Sequence, residues 1–202
     1  MFDYFKNPSK AVEKIEEETS LTKMKSSLGA LVLASVIFTA NSALGMKILN
    51  EMSLEITGPE IVVEVLEMST VNLAVGTFFL IFLGGLFFGY IVRTVMNTLG
   101  GDGKYWDGLT TVSYPVLSAS IGIILAMASS YIPVIGPVLA FIFTAVFFAV
   151  AYASMFRLAK EMFDVGMIEA FVGVTVILTA GLIGFYGGIL VVPQGILAVL
   201  PA

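Results

Sequence analysis

Long apolar stretches alternate with short charged segments along this 202-residue chain. Five stretches contain no Asp, Glu, Lys or Arg and hold 21 residues or more each: Ser26–Met46, Met68–Val92, Gly108–Ile132, Val134–Phe156 and Ala170–Val192. About 20 apolar helical residues cross a hydrocarbon core of roughly 30 Å, so each stretch is long enough to span a bilayer. The pattern predicts an all-α polytopic membrane protein, built as a bundle of five transmembrane helices.

This pattern divides the chain into two predicted parts. Residues 1–25 form a cytoplasmic N-terminal arm, and residues 26–202 form a five-helix transmembrane domain. Its predicted spans are about 26–46, 68–92, 110–132, 134–156 and 169–192.

Short amphipathic interfacial helices are predicted outside the spans. In the arm, Asn7 and Pro8 suit the start of a helix that has Ile15 on its apolar face. A solvated lead-in helix is the alternative for this arm. In the first outer loop, Thr57 and Glu60 have the spacing of a capping box, which predicts a second helix lying on the outer surface.

Prolines predict the shape of the third and fourth spans. The connection from Tyr131 to Pro137 is short enough to make these spans an antiparallel hairpin, and Pro133 and Pro137 are expected to end the helices on either side. Within the third span, Tyr114-Pro115 predicts a kink, because proline frees a backbone carbonyl about one turn earlier.

Basic residues concentrate in alternate connections. Nine of the ten Lys and Arg lie in the arm and in the second and fourth connections, whereas Lys47 alone lies in the first outer loop. Because basic connections stay on the cytoplasmic side, we predict a cell-membrane protein with its N-terminus in the cytoplasm and its C-terminus outside.

The composition removes several kinds of chemistry. Only 12% of the residues are charged, and the chain has neither histidine nor cysteine. It therefore lacks the commonest general base, the commonest zinc ligand and any thiolate nucleophile. The five long stretches hold no charged residue, although such residues mark proton and ion pathways in membranes. We expect no enzyme activity, no catalytic or metal-binding residues, no cofactor and no nucleic-acid partner.

The segment from Asn97 to Gly108, between the second and third spans, is the richest in polar and aromatic residues. It holds the sole tryptophan, and its glycines permit a tight reversal of the backbone. The segment is either a turn with aromatic anchors at the interface or a loop that binds a partner. The candidate partner-binding residues are Gly100, Gly101, Asp102, Lys104, Tyr105, Trp106 and Asp107.

Two further sets of residues are candidates within the bundle. Uncharged polar residues could line a path through it or, with the proline, form the kink: Tyr90, Asn97, Tyr114, Pro115 and Tyr152. Small residues four apart let transmembrane helices approach closely, which predicts packing positions. These are Gly85, Gly89, Gly122, Gly136, Gly184 and Gly188.

Four short motifs resemble the Yip family (Ypt/Rab-interacting proteins) in its bacterial and archaeal form. They are Phe5-Lys6-Asn7-Pro8, Leu99-Gly100-Gly101-Asp102-Gly103, Tyr114-Pro115 and Ile132-Pro133-Val134-Ile135-Gly136. Their order and spacing cover nearly the whole chain. The resemblance implies a five-helix bundle with a cytoplasmic arm. In eukaryotic relatives it implies binding of lipid-anchored small GTPases, but the Asp-Leu-Tyr-Gly-Pro signature of their longer arms is absent here, and no catalytic residues carry over.

Three functions remain open at this point. The leading hypothesis is a non-enzymatic scaffold that binds a membrane or lipid-anchored protein, or organises the bilayer, alone or as a homo-oligomer. The alternative is a small transporter or channel subunit for a neutral solute. A lipid-processing or lipid-binding protein is the third, and its chemistry would need Asp102 or Asp107 at the headgroups.

Overall fold

The computed structural model describes residues 14–15, 18–57 and 69–181. Within them the chain forms five helices, and the predicted all-α fold is confirmed. Four helices are long and apolar enough to cross a membrane, whereas the predicted fifth span continues outside the described residues. The helices are α1 (Ser20–Thr57), α2 (Ser69–Thr98), α3 (Tyr105–Ser130), α4 (Gly136–Phe163) and α5 (Met167–Gly181).

The helices extend beyond the charge-free stretches that predicted them. Helix α1 continues past Met46 to Thr57, which is therefore its last residue and not the cap of an outer-loop helix. The rest of that predicted helix lies outside the described residues. Helix α4 continues to Phe163 and ends at Asp164, whose φ of 49° is left-handed. A charged residue marks the boundary of the hydrocarbon core, but a helix ends only where the backbone leaves the helical conformation.

The connection between α3 and α4 is the tight turn Tyr131–Ile135. Gly136 lies close to the end of α3. A Cβ at this position would lie 2.5 Å from the Ser129 carbonyl oxygen. The prediction that Pro137 ends a helix is wrong, since Pro137 lies in the first turn of α4. Proline is accommodated there because the first turn has no acceptor for its missing N–H.

Helix α3 lies at the centre of the bundle and packs against α1, α2 and α4. Of its apolar segment, 56% is buried, against 17% for α2 and α4. Several of its buried hydroxyls donate to carbonyls of the same helix, as in Thr111 to Asp107 at 2.8 Å and Ser120 to Leu117 at 2.8 Å, whereas the hydroxyls of Ser113 and Ser118 have no partner within the described residues. Local hydrogen bonds of this kind help a helix rich in Ser and Thr to occupy the interior of a membrane bundle.

Predicted packing glycines lie at three helix contacts. A Cβ on Gly85 would collide with the Leu31 side chain of α1, and one on Gly122 would collide with Phe147 of α4. A Cβ on Gly89 would lie 3.0 Å from the Leu109 Cα. Close backbone approach replaces water expulsion as the cohesive force between helices in lipid. Gly184 and Gly188 lie outside the described residues.

A hydrophobic cluster closes the bundle at the end where α2 and α4 finish. It includes Val92, Met96 and Phe163, together with Val174 from α5. Ile15 of the N-terminal arm belongs to the same cluster and is only 5% exposed. The arm therefore contributes to the core at this point, which neither predicted arrangement of the arm included.

Candidate functional site

Two contacts bring three connections of the chain to one end of the bundle. The Asp102 N–H donates to the Phe163 carbonyl at 3.2 Å, which joins the α2–α3 loop to the end of α4. Lys23 pairs with Asp107 at 3.0 Å, which joins the start of α1 to the start of α3. We call this the charged end, defined by Lys23, Arg93, Lys104, Asp107, Arg157 and Lys160. The connection between α3 and α4 at the opposite end, Tyr131–Ile135, has no charged residue.

Glycine ends α2 and starts the loop. Gly100 has a φ of 100°, a conformation that favours glycine. The Gly101 N–H donates to the Met96 carbonyl at 3.0 Å, and the Gly100 N–H donates to the Asn97 carbonyl at 3.3 Å. This pair of hydrogen bonds is the Schellman motif, which satisfies the last carbonyls of a helix. The predicted tight reversal is therefore a helix cap with a defined geometry.

The Asn97 side chain holds the far side of the loop. Its Nδ2 donates to the Gly103 carbonyl at 3.0 Å, and its Oδ1 accepts from the Gly103 N–H at 3.0 Å. Both ends of one amide therefore bind both backbone groups of one residue. Asn97, a candidate for the polar path, thus braces the loop in the structure.

The loop packs onto the end of α4. Gly103 is buried, and a Cβ on it would collide with the Phe163 ring. A Cβ on Gly101 would lie 3.0 Å from the Phe163 carbonyl oxygen. These glycines permit close approach, and the backbone from Gly100 to Lys104 is consequently fixed from both sides.

Asp107 connects three parts of the charged end. Its Oδ2 accepts from the Lys104 N–H at 2.8 Å, and its Oδ1 accepts from the Lys23 ammonium at 3.0 Å. A carboxylate in the first turn also interacts favourably with the positive end of the α3 dipole. Next to this pair, Ser27 and Thr110 are hydrogen-bonded at 2.6 Å. Thr110 gives its proton to the Trp106 carbonyl, so Ser27 is the donor.

Tyr105 lies against α2, and the neighbouring Trp106 lies against Tyr105. The Tyr105 hydroxyl donates to the Leu86 carbonyl at 3.1 Å. The rings of Tyr105 and Trp106 meet edge to face, with 5.0 Å between their centroids. Both side chains are half-buried, whereas Gly100, Asp102 and Lys104 are exposed. Of the seven loop candidates, these three therefore present the most accessible surface.

The sequence matches the family described as the Yip1 domain over residues 2–188. The chain belongs to the Yip1 family. Neither a curated protein nor a solved structure matches it significantly. The family expected from the four motifs is confirmed, and with it a multi-pass membrane protein.

The tyrosines predicted to line a path differ in their exposure in this Yip1 family member. Tyr90 is 54% exposed on α2 and Tyr152 is 40% exposed on α4, whereas Tyr114 is 5% exposed in the core. Pro115 is buried next to Tyr114, and α3 continues through it as one helix. Across the described part of the chain, no three Asp, Glu, His or Cys side chains form a group that could hold a metal ion.

Sequence reasoning missed the contacts that join α1 to α3 in this Yip1 family member. Lys23 and Asp107 are 84 positions apart, and Ser27 and Thr110 are 83 apart. No local pattern connects residues at such separations. A usable signal was present, however, because Lys104 and Asp107 have the spacing of a cap and the third residue of a helix. That spacing could have placed the start of α3 before Gly108.

Proposed function

We propose that this Yip1 family member is a non-enzymatic membrane scaffold whose charged end binds a membrane or lipid-anchored protein. The observation that supports the proposal is the fixed backbone of the loop. The Schellman motif, the Asn97 amide and Phe163 hold it in one conformation. A surface that is ordered before binding loses little conformational entropy when a partner binds.

The contact surface that we propose is Gly100, Asp102 and Lys104, with the adjoining half-buried Trp106. These residues offer one negative charge, one positive charge and an aromatic edge, which are typical elements of a protein interface. Asp107 has a different role in this proposal, because both of its oxygens already hold groups of the same chain. By the positive-inside rule, the proposed surface faces the cytoplasm.

Site-specific photocrosslinking in native membranes tests the proposal. A crosslinker at position 102 should capture a defined partner, and one at Lys25 on the exposed surface of α1 is the matched control. The charge reversal K104E should reduce the captured partner at least tenfold without changing the amount of folded protein. Equal capture at positions 102 and 25, or capture that K104E does not change, would contradict the proposal.

A further inference from the structure

A surface depression lies on the outer side of α2 at the charged end. It is lined by Tyr90, Arg93, Thr94, Asn97 and Thr98. These positions recur at three- and four-residue intervals, so they share one face of the helix. Neither Tyr90 nor Arg93 is needed to hold the loop, which leaves this face unexplained by the scaffold function.

Most hydrogen-bond donors of the depression are already used. The Thr94 hydroxyl donates to the Tyr90 carbonyl at 2.9 Å, and the Thr98 hydroxyl donates to the Thr94 carbonyl at 2.8 Å. The Asn97 amide donates to the loop. The Arg93 guanidinium, the Tyr90 hydroxyl and the second N–H of the Asn97 amide are the donors that remain for a ligand. Neither ion pair within the described residues includes Arg93.

Arg93 has an acidic neighbour that is already paired. Its backbone is level with Gly108, because a Cβ on Gly108 would lie 3.1 Å from the Arg93 nitrogen. The adjacent Asp107 is engaged by Lys23 and by the Lys104 N–H. The positive charge of Arg93 is therefore available to an anion from outside the chain.

From the charged end towards the middle of the membrane, this face changes from charged to polar to apolar. A phospholipid changes in the same order, from its phosphate through its ester groups to its acyl chains. Arg93 lies at the level of the Lys23–Asp107 ion pair, and Tyr90 lies three residues deeper, or about 4.5 Å at the helical rise. Below Tyr90, the same face continues with Phe87, which is 63% exposed, and Leu83, which is 55% exposed. The polar residues Arg93 and Tyr90 are thus followed, deeper in the membrane, by the apolar residues Phe87 and Leu83.

We propose that the depression binds one anionic phospholipid. The Arg93 guanidinium holds the phosphodiester, the Tyr90 hydroxyl donates to the phosphate or the ester group below it, and an acyl chain lies over Phe87 and Leu83. Arginine suits the first role because its planar group donates two parallel hydrogen bonds to phosphate. An anionic headgroup is preferred because neither ion pair of the described residues uses the positive charge of Arg93.

Native mass spectrometry of the full chain in nanodiscs tests the proposal. The discs contain a zwitterionic phospholipid with a minor fraction of phosphatidylglycerol, and retained lipid is counted per chain. R93Q should reduce retained phosphatidylglycerol about tenfold, and Y90F should reduce it severalfold. K25Q is the matched control, because it removes an exposed basic residue at the same end but outside the depression, and it should change retention little.

Three results would overturn the proposal. R93Q could retain as much phosphatidylglycerol as the unmodified chain, or K25Q could lose as much as R93Q, which would reduce the effect to general attraction by the basic end. Displacement of the lipid by an equal concentration of inorganic phosphate would assign the site to the phosphate group alone. Arg93 is exposed, so unchanged thermal unfolding of R93Q provides the check on folding.

Discussion

Asp107 is the residue whose replacement tests the charged end most directly. The side chains of Lys23 and Asp107 are only 14% and 12% exposed, so the ion pair is screened far less than a surface pair. D107A removes the acceptor for the Lys104 N–H, which is worth about 1 kcal/mol in a helix cap. It also leaves the Lys23 ammonium without its partner, and breaking a buried pair costs about 3–5 kcal/mol. Because both side chains keep some contact with solvent, we expect a total near the lower limit, about 3 kcal/mol.

A double-mutant cycle separates these two contributions. D107N keeps an oxygen that can accept from the Lys104 N–H but removes the charge, and K23M removes the cation while keeping an apolar stem. The double variant D107N/K23M should be more stable than the sum of the single effects predicts, by about 1–2 kcal/mol, because neither charge is then left alone.

Equilibrium unfolding in mixed micelles measures these free energies. The sole tryptophan, Trp106, precedes Asp107 and provides the fluorescence signal. A loss below about 0.5 kcal/mol for D107A, the range of exposed ion pairs, would refute the reasoning. Additive effects in the cycle would likewise show that Lys23 and Asp107 do not stabilise each other.

Three further substitutions have defined outcomes in the same unfolding assay. G103A should lower the free energy of unfolding by about 1–3 kcal/mol, because its Cβ collides with the Phe163 ring. G29A is the control and should not destabilise the protein, because a Cβ on Gly29 has no neighbour within 4 Å. N97D should cost about 1–3 kcal/mol, because a carboxylate cannot donate to the Gly103 carbonyl; a cost equal to that of T94V, in which only a local hydroxyl is lost, would contradict the brace. I15A should cost about 2–4 kcal/mol if Ile15 fills the core, and a cost near zero would place the arm outside it.

The sequence predicts the membrane class of this protein better than its contacts. Absence of charge identifies lipid-facing and buried stretches alike, so the five helices follow from it, as does the grouping of Arg93 with Lys104 near one boundary. It does not show where a helix ends, which for α2 depends on the positive φ of Gly100. The sequence of the arm also does not distinguish an amphipathic helix on the membrane surface from a helix that inserts Ile15 into the core. Both arrangements require the same spacing of apolar residues. The pairing of Asp107 with Lys23 depends on the tertiary fold alone.

Because α3 is central, helix α1 is synthesised well before the helix against which it packs. Helix α1 leaves the ribosome first, yet the partners of Lys23 and Ser27 are encoded 84 and 83 residues later. A nascent chain that stops before Asp107 therefore presents an unpaired ammonium and an unbonded hydroxyl on the face of α1 that α3 later covers. That face of α1 gains these two polar partners only when α3 is inserted. A truncated chain therefore exposes two polar groups that are paired in the complete chain. Such exposed groups are a feature by which membrane quality control can recognise an incomplete chain.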